Sequence, residues 1–168
     1  MRLGYNSKPT DLNAVVGLSQ IDAFWDRFYI RKNNVKRIRN GLVNYEQYMI
    51  FSEENEHYVN SPHAFSIVLV DKSYDINHFK QHLTEYNIDW KINFLCIPTQ
   101  QLGMRKLLKI NHDRGVNKYP HAEFAGSLGV HFGCHEHLTE DDCEYIVWVV
   151  RKYFDEKMWE RPEGKTND

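Results

Sequence analysis

The sequence predicts an α+β fold: a short sheet with helices packed on one side, entered through a long N-terminal helix. Three observations predict it. Apolar residues recur at three-to-four spacing between residues 10 and 38, which is the period of a helix face. Residues 64–70 form a short, β-branched run bounded by turn residues, the pattern of a buried strand. A third segment, opening at Thr139, carries a capping signal followed by an apolar helical stripe. Helices and strands alternate along only 168 residues, so one small layered α+β unit accommodates them.

Each element follows from local chemistry. Thr10 or Asp11 can cap the first helix, because a short side-chain oxygen accepts an orphan N–H of the first turn. Leu12, Val15 or Val16, Ile21, Phe24 or Trp25, and Phe28 then share one face. Gly17 inside that helix points to close packing against another backbone, and Gly41 is a candidate stop. Residues 52–63 are polar and irregular, with Pro62 as a breaker. Asp75 caps a helix over residues 76–86 whose inner residues are Ile76, Phe79, Leu83 and Tyr86. Residues 88–95 alternate as a strand, so residues 67–95 fit a β-α-β unit. Residues 104–110 and 123–128 predict short helices, and 129–134 predicts a strand. In the last helix Asp142 stands at the capping-box position, and Cys143, Ile146 or Val147, Val150 and Phe154 form the inner stripe. The expected organisation is a junction turn and helix over 1–41, a small α+β domain over 42–159, and a disordered tail over 160–168.

Composition excludes several classes. The net charge of −2 supplies no field for nucleic acid or anionic lipid. No apolar run approaches the ~20 residues of a membrane span, and no secretory signal is present. Three scattered cysteines, Cys96, Cys134 and Cys143, argue against a disulfide framework and for a reducing, cytoplasmic setting. Arg31, Lys32, Lys36, Arg37 and Arg39 form a basic run that reads as a solvated helix face or as a surface toward phosphate. The many aromatic residues read as core, with some excess suited to docking on a larger body.

The segment V-H-F-G-C-H-E-H carries His131, Cys134, His135 and His137, residue types that suit zinc. On a strand, however, His131 and His135 share a face that Cys134 leaves, and no second Cys/His pair has finger-like spacing. No metal ligand is assigned, and a small metal-binding domain is kept only as an alternative. No nucleophile elbow, phosphate-cradling glycine loop or H-E-x-x-H is present, so no catalytic residue is assigned either.

The N-terminal stretch L-G-Y-N-S-K-P-T-D-L-N-A-V-V-G-L-S-Q-I-D resembles the DegT/DnrJ family segment G-Y-N-x-[RK]-x-[ST]-D-x-x-A-A-x-G-x-x-Q-L. The match runs through Gly4, Tyr5, Asn6, Lys8, Thr10, Asp11, Ala14, Gly17, Leu18 and Gln20. Residues 65–70 resemble the family's strand, residues 86–91 its G-I-x-T-R segment, and residues 95–102 a loop of its dehydratase branch. F-G-C-H-E-H-L-T-E-D-D resembles L-P-L-H-P-x-L-[ST]-x-E-D. Asp89 stands for a glycine, Lys91 for an arginine, and Gly133 and Glu136 for prolines.

That family comprises pyridoxal-phosphate (PLP) enzymes acting on nucleotide-linked keto-sugars, either aminotransferases or 3-dehydratases. The resemblance implies the small C-terminal domain of a fold-type I PLP enzyme. The Schiff-base lysine would belong to a large domain upstream, on a separate N-terminal partner or a neighbouring subunit, with a homodimer one such arrangement. Asn6 and Lys8 inherit cofactor-phosphate contacts and His135 a substrate contact. The chain is not expected to be active alone. A non-catalytic interaction module, or a degenerate remnant of the fold, is the alternative reading.

Overall fold

The structure, a computed structural model, describes residues 8–52, 54, 56, 57, 59–93, 101–107 and 119–156. Asn6, Cys96, most of the loop at 95–102 and the expected tail at 160–168 lie outside the described residues.

The N-terminal arm is helical and runs in two segments, α1 (Asp11–Ile21) and α2 (Phe24–Leu42). Thr10 caps α1: its hydroxyl accepts the Asn13 N–H at 3.3 Å, and the Asn13 carboxamide oxygen accepts the Thr10 N–H at 3.2 Å. The break between the segments is at residues 22–23, with neither glycine nor proline to mark it. Arg27 reaches across it to the side chain of Gln20. α2 continues through Gly41 rather than stopping there. Its end passes through a 3-10 turn, Val43–Tyr45, into strand β1 (Met49–Phe51).

Strand β2 (Ala64–Leu69), helix α3 (Ile76–Glu85), strand β3 (Trp90–Ile92), helices α4 (Leu102–Leu107) and α5 (Pro120–Leu128), strand β4 (Gly129–Gly133) and helix α6 (Glu140–Asp155) follow. The sheet order is β1-β2-β4-β3, and every neighbouring pair is antiparallel. β2 and β3 are therefore parallel, with β4 inserted between them. The expected β-α-β unit exists, but in split form.

The pleat sorts the side chains. Phe65, Ile67 and Leu69 of β2 are buried, and Phe65 and Ile67 pair with Phe132 and Val130 of β4. Met49 and Phe51 extend that face. α2, α3 and α6 supply Ile38, Leu42, Phe79, Leu83, Val149, Val150, Tyr153 and Phe154 to the same core. Each such side chain contributes roughly 1.5–3 kcal/mol when fully buried. The α6 stripe of Cys143, Ile146, Val147, Val150 and Phe154 is buried as the periodicity requires.

Two glycines exchange the roles their positions suggest. A Cβ on Gly17 would meet nothing within 4 Å, so no backbone packs there. A Cβ on Gly41 would lie 2.6 Å from a Val147 methyl, so the α2–α6 seam closes on Gly41.

The apolar residues of α1 and early α2 do not join this core. Leu12 is 75% exposed, Val16 58%, Ile21 63% and Trp25 61%. α1 has no buried residue, and among the described residues its main neighbour is α2. A helix so apolar is ordinarily buried. Among the described residues, no helix is long and apolar enough to cross a membrane.

Candidate functional site

Two places carry the residues that the sequence singles out. The first is the entry to α1. Lys8 is exposed, two residues before the Thr10 cap. A helix N-terminus beside an ammonium group suits a phosphate, although Asp11 in the first turn opposes it. The chemistry at this point admits a phosphate such as the arm of PLP. For the bond to its aldehyde, none of the lysines among the described residues is buried, whereas a reactive amine is ordinarily desolvated or set beside another cation.

The second place is the loop after β4. β4 ends at Gly133, so His135 does not share a strand face with His131. His135 is exposed, and its Nδ1 accepts the His137 N–H at 3.3 Å. The loop is fastened to α2. Buried Asn34 donates from Nδ2 to the His135 carbonyl at 2.9 Å. Glu136 is bridged by Arg31 at 2.8 Å and by Arg27 at 3.7 Å. Its own backbone N–H and the Arg31 guanidinium hold the Glu136 carboxyl below its ordinary range. Glu136 stands where the resemblance has a proline, so an ion pair to α2 replaces the rigidity of a ring.

His135 opens onto a cleft of about 320 Å³, with Asn87, Asp89, Phe132, Asp142 and Tyr145 among its walls. Asn87 lies in the left-handed region, at φ 56°. It ends α3 in a Schellman arrangement: the Ile88 N–H reaches the Leu83 carbonyl at 2.8 Å, and the Asn87 N–H reaches Thr84 at 3.0 Å. By backbone conformation, Asn87, not Asp89, is the residue that stands in for a glycine here. Lys8 and Lys91 do not line this cleft. Lys91 pairs across the sheet with His131.

The His/Cys set does not assemble. Cys134 is fully buried, and burial pushes its thiol up to about 11. His131 Nδ1 meets the Asn93 carboxamide oxygen at 3.2 Å, and His63 stacks edge-on at 5.6 Å. Burial lowers the His131 pKa, with His63 and Lys91 adding to the effect. Among the described residues, no three His, Cys, Asp or Glu side chains gather as a metal site requires.

The basic run is largely neutralised. Lys32 pairs with Glu54 at 2.8 Å and Arg37 with Glu140 at 2.6 Å. Arg39 pairs with Glu46 at 3.8 Å. Among the described residues Lys36 is the member of the run left without an ion pair, so the phosphate-facing reading of this helix face keeps one free cation of five. Sequence reasoning missed the Arg27–Arg31–Glu136 clamp. The one signal for it was the spacing of four that puts both arginines on one helix face.

Solved structures share this architecture. The aminotransferase from Psychrobacter cryohalolentis superposes with a TM-score of 0.73 at 17% identity, covering 92% of this chain and 41% of its own. The sugar aminotransferase CalS13 from Micromonospora echinospora gives 0.71 at 14% identity, covering 89% and 37%. Spr1654 from Streptococcus pneumoniae, solved in its PLP form, gives 0.71 at 21% identity, covering 88% and 36%. The chain thus spans about two fifths of the length of these proteins. Among curated proteins, none matches. The N-terminal motif, the split antiparallel sheet and the histidine loop agree with a sequence match over residues 1–151, and the chain belongs to the DegT/DnrJ/EryC1/StrS aminotransferase family.

Proposed function

We propose that this chain forms the C-terminal part of a PLP-dependent enzyme of nucleotide-linked keto-sugars, an aminotransferase or 3-dehydratase. A large domain supplied from elsewhere completes it and carries the Schiff-base lysine. PLP, when bound, supplies the electron sink for chemistry at the amine-bearing carbon. The residues of this chain position and recognise. Asn6 and Lys8 hold the phosphate at the α1 entry. His135, fixed by Asn34 and the Glu136 clamp, faces the sugar.

The observation that carries this reading is the uncovered apolar arm. Leu12, Val15, Val16, Leu18, Ile21, Phe24, Trp25 and Tyr29 are all exposed, although each would contribute roughly 1.5–3 kcal/mol if buried. Exposed apolar side chains concentrated on one arm in this way mark an interface. The three-fifths of the relatives' length that this chain does not span is the body that fits it.

Coexpression with the polypeptide that carries the lysine domain tests the reading. A stoichiometric complex with the visible absorbance of lysine-bound PLP is expected, with none for this chain alone. Failure to associate, with this chain stable and monomeric, overturns it and favours a non-catalytic module.

A further inference from the structure

His82 lies on α3, packed against α6, with 1% of its surface exposed. Its Nε2 is 2.9 Å from the Val149 carbonyl of α6, so Nε2 carries the hydrogen and donates. Its Nδ1 is buried and has no hydrogen-bond partner. Tyr86 and Tyr153 close around the ring, at centroid distances of 4.7 and 5.3 Å. The neutral ring is satisfied at one nitrogen and bare at the other. A proton added at Nδ1 finds no protein acceptor among the described residues, in a site where unpaired charge is strongly disfavoured.

The ring also sits at a mechanical junction. The His82 carbonyl accepts the Tyr86 N–H at 3.2 Å, within the turn that ends α3. That turn runs on into Asn87, Ile88 and Asp89, one wall of the His135 cleft. Tyr145 of α6 ties the same turn down by donating to the Tyr86 carbonyl at 3.0 Å.

We infer that His82 is an acid-operated latch: protonation of its ring releases the last turn of α3 from α6 and loosens the 87–89 wall of the cleft. Burial is the largest influence on this ring and disfavours the cation; His78 on α3 and Lys152 on α6 act in the same direction, while Glu85 and the Val149 carbonyl act against it. Tyr86 and Tyr153 are the remaining titratable groups against it. The latch rests on packing alone and does not depend on the proposed reaction.

Because the native pKa lies below the ordinary 6.5, the latched state binds fewer protons than the released one. The latch is therefore fully set above pH 6.5 and weakens as pH falls through and below that value. Each step of acidification below pH 6.5 raises the opening equilibrium of α3, by at most about tenfold per pH unit for a single proton.

Site-resolved amide exchange of the full chain tests this, read between pH 7.5 and 5.5 and corrected for intrinsic chemistry. A rise in opening of up to about tenfold is expected for the α3 amides, and none in His82→Gln, whose amide keeps a donor for the Val149 carbonyl. A flat wild-type response, or an unchanged response in the variant, overturns the latch. If the variant does not fold, the wild-type ring titration followed by NMR decides. A midpoint below 6.5 that coincides with α3 opening supports the latch, and a midpoint at or above 6.5 contradicts it.

Discussion

Gly41 of α2 and Val147 of α6 meet so closely that a methyl group on the glycine would sit 2.6 Å from the valine's Cγ2. Arg151 locks the same point by donating from Nε to the Gly41 carbonyl at 2.8 Å. Gly41→Ala should gain about 1 kcal/mol in helix propensity and lose about 1–3 kcal/mol to overpacking. Net destabilisation is expected in urea unfolding. Adding Val147→Ala should remove most of the clash, giving a favourable coupling in the double-mutant cycle.

Asn87 carries the only positive φ of a non-glycine among the described residues. Asn87→Gly should stabilise the chain by a few tenths to about 1 kcal/mol, and Asn87→Ala should destabilise it by about 1 kcal/mol. Thermal unfolding of the two variants should move in opposite directions. Equal shifts would mean that the turn is not held in this conformation.

The N-terminus of α6 gives a further test. Thr139 and Asp142 cap it reciprocally, with the Asp142 N–H on the Thr139 hydroxyl at 3.1 Å and the Thr139 N–H on the Asp142 carboxylate at 2.8 Å. Thr139→Ala should cost about 1 kcal/mol. The backbone and hydroxyl of Thr139 hold the Asp142 carboxyl below its ordinary 3.8. Its contribution is therefore present above that pH and fades as acid protonates it. An acid-unfolding profile of Asp142→Asn should lack this part of the decline.

Elements whose signals are local were legible in the sequence. The caps at Thr10, Asp75 and Thr139 and the buried stripe of α6 all follow from short-range chemistry. β1 was not read, because Met49–Phe51 is a three-residue strand too short for alternation to register. The break at residues 22–23 has no glycine or proline to announce it. Gly41 read as a helix stop because its reason for being glycine is a partner on another helix. The clamp on Glu136 was invisible for the same reason: Arg31 and Glu136 are far apart in sequence and meet only in the fold.

Cys134 and Cys143 are fully buried, and burial raises the pKa of both thiols. Thiolate is the reactive form, so in a Cys96→Ser background neither should react with a thiol reagent at pH 8 until the chain unfolds. Rapid labelling of Cys134 in the folded chain would contradict this packing.

The arm separates stability from assembly. Val16→Glu and Trp25→Glu replace exposed side chains, so each should change unfolding free energy by no more than about 0.5 kcal/mol. Association with the lysine-bearing domain should fall sharply in both, as read by copurification.

The most direct measurement is where the cofactor attaches. The assembled enzyme and the isolated chain are each treated with PLP and then borohydride, and the labelled lysine is located by peptide mass mapping. One stoichiometric label per site is expected in the assembly, on a lysine of the partner, with only sparse surface labelling of this chain. A stoichiometric label on Lys8, Lys91 or any other lysine of this chain, protected by sugar substrate, would contradict this assignment.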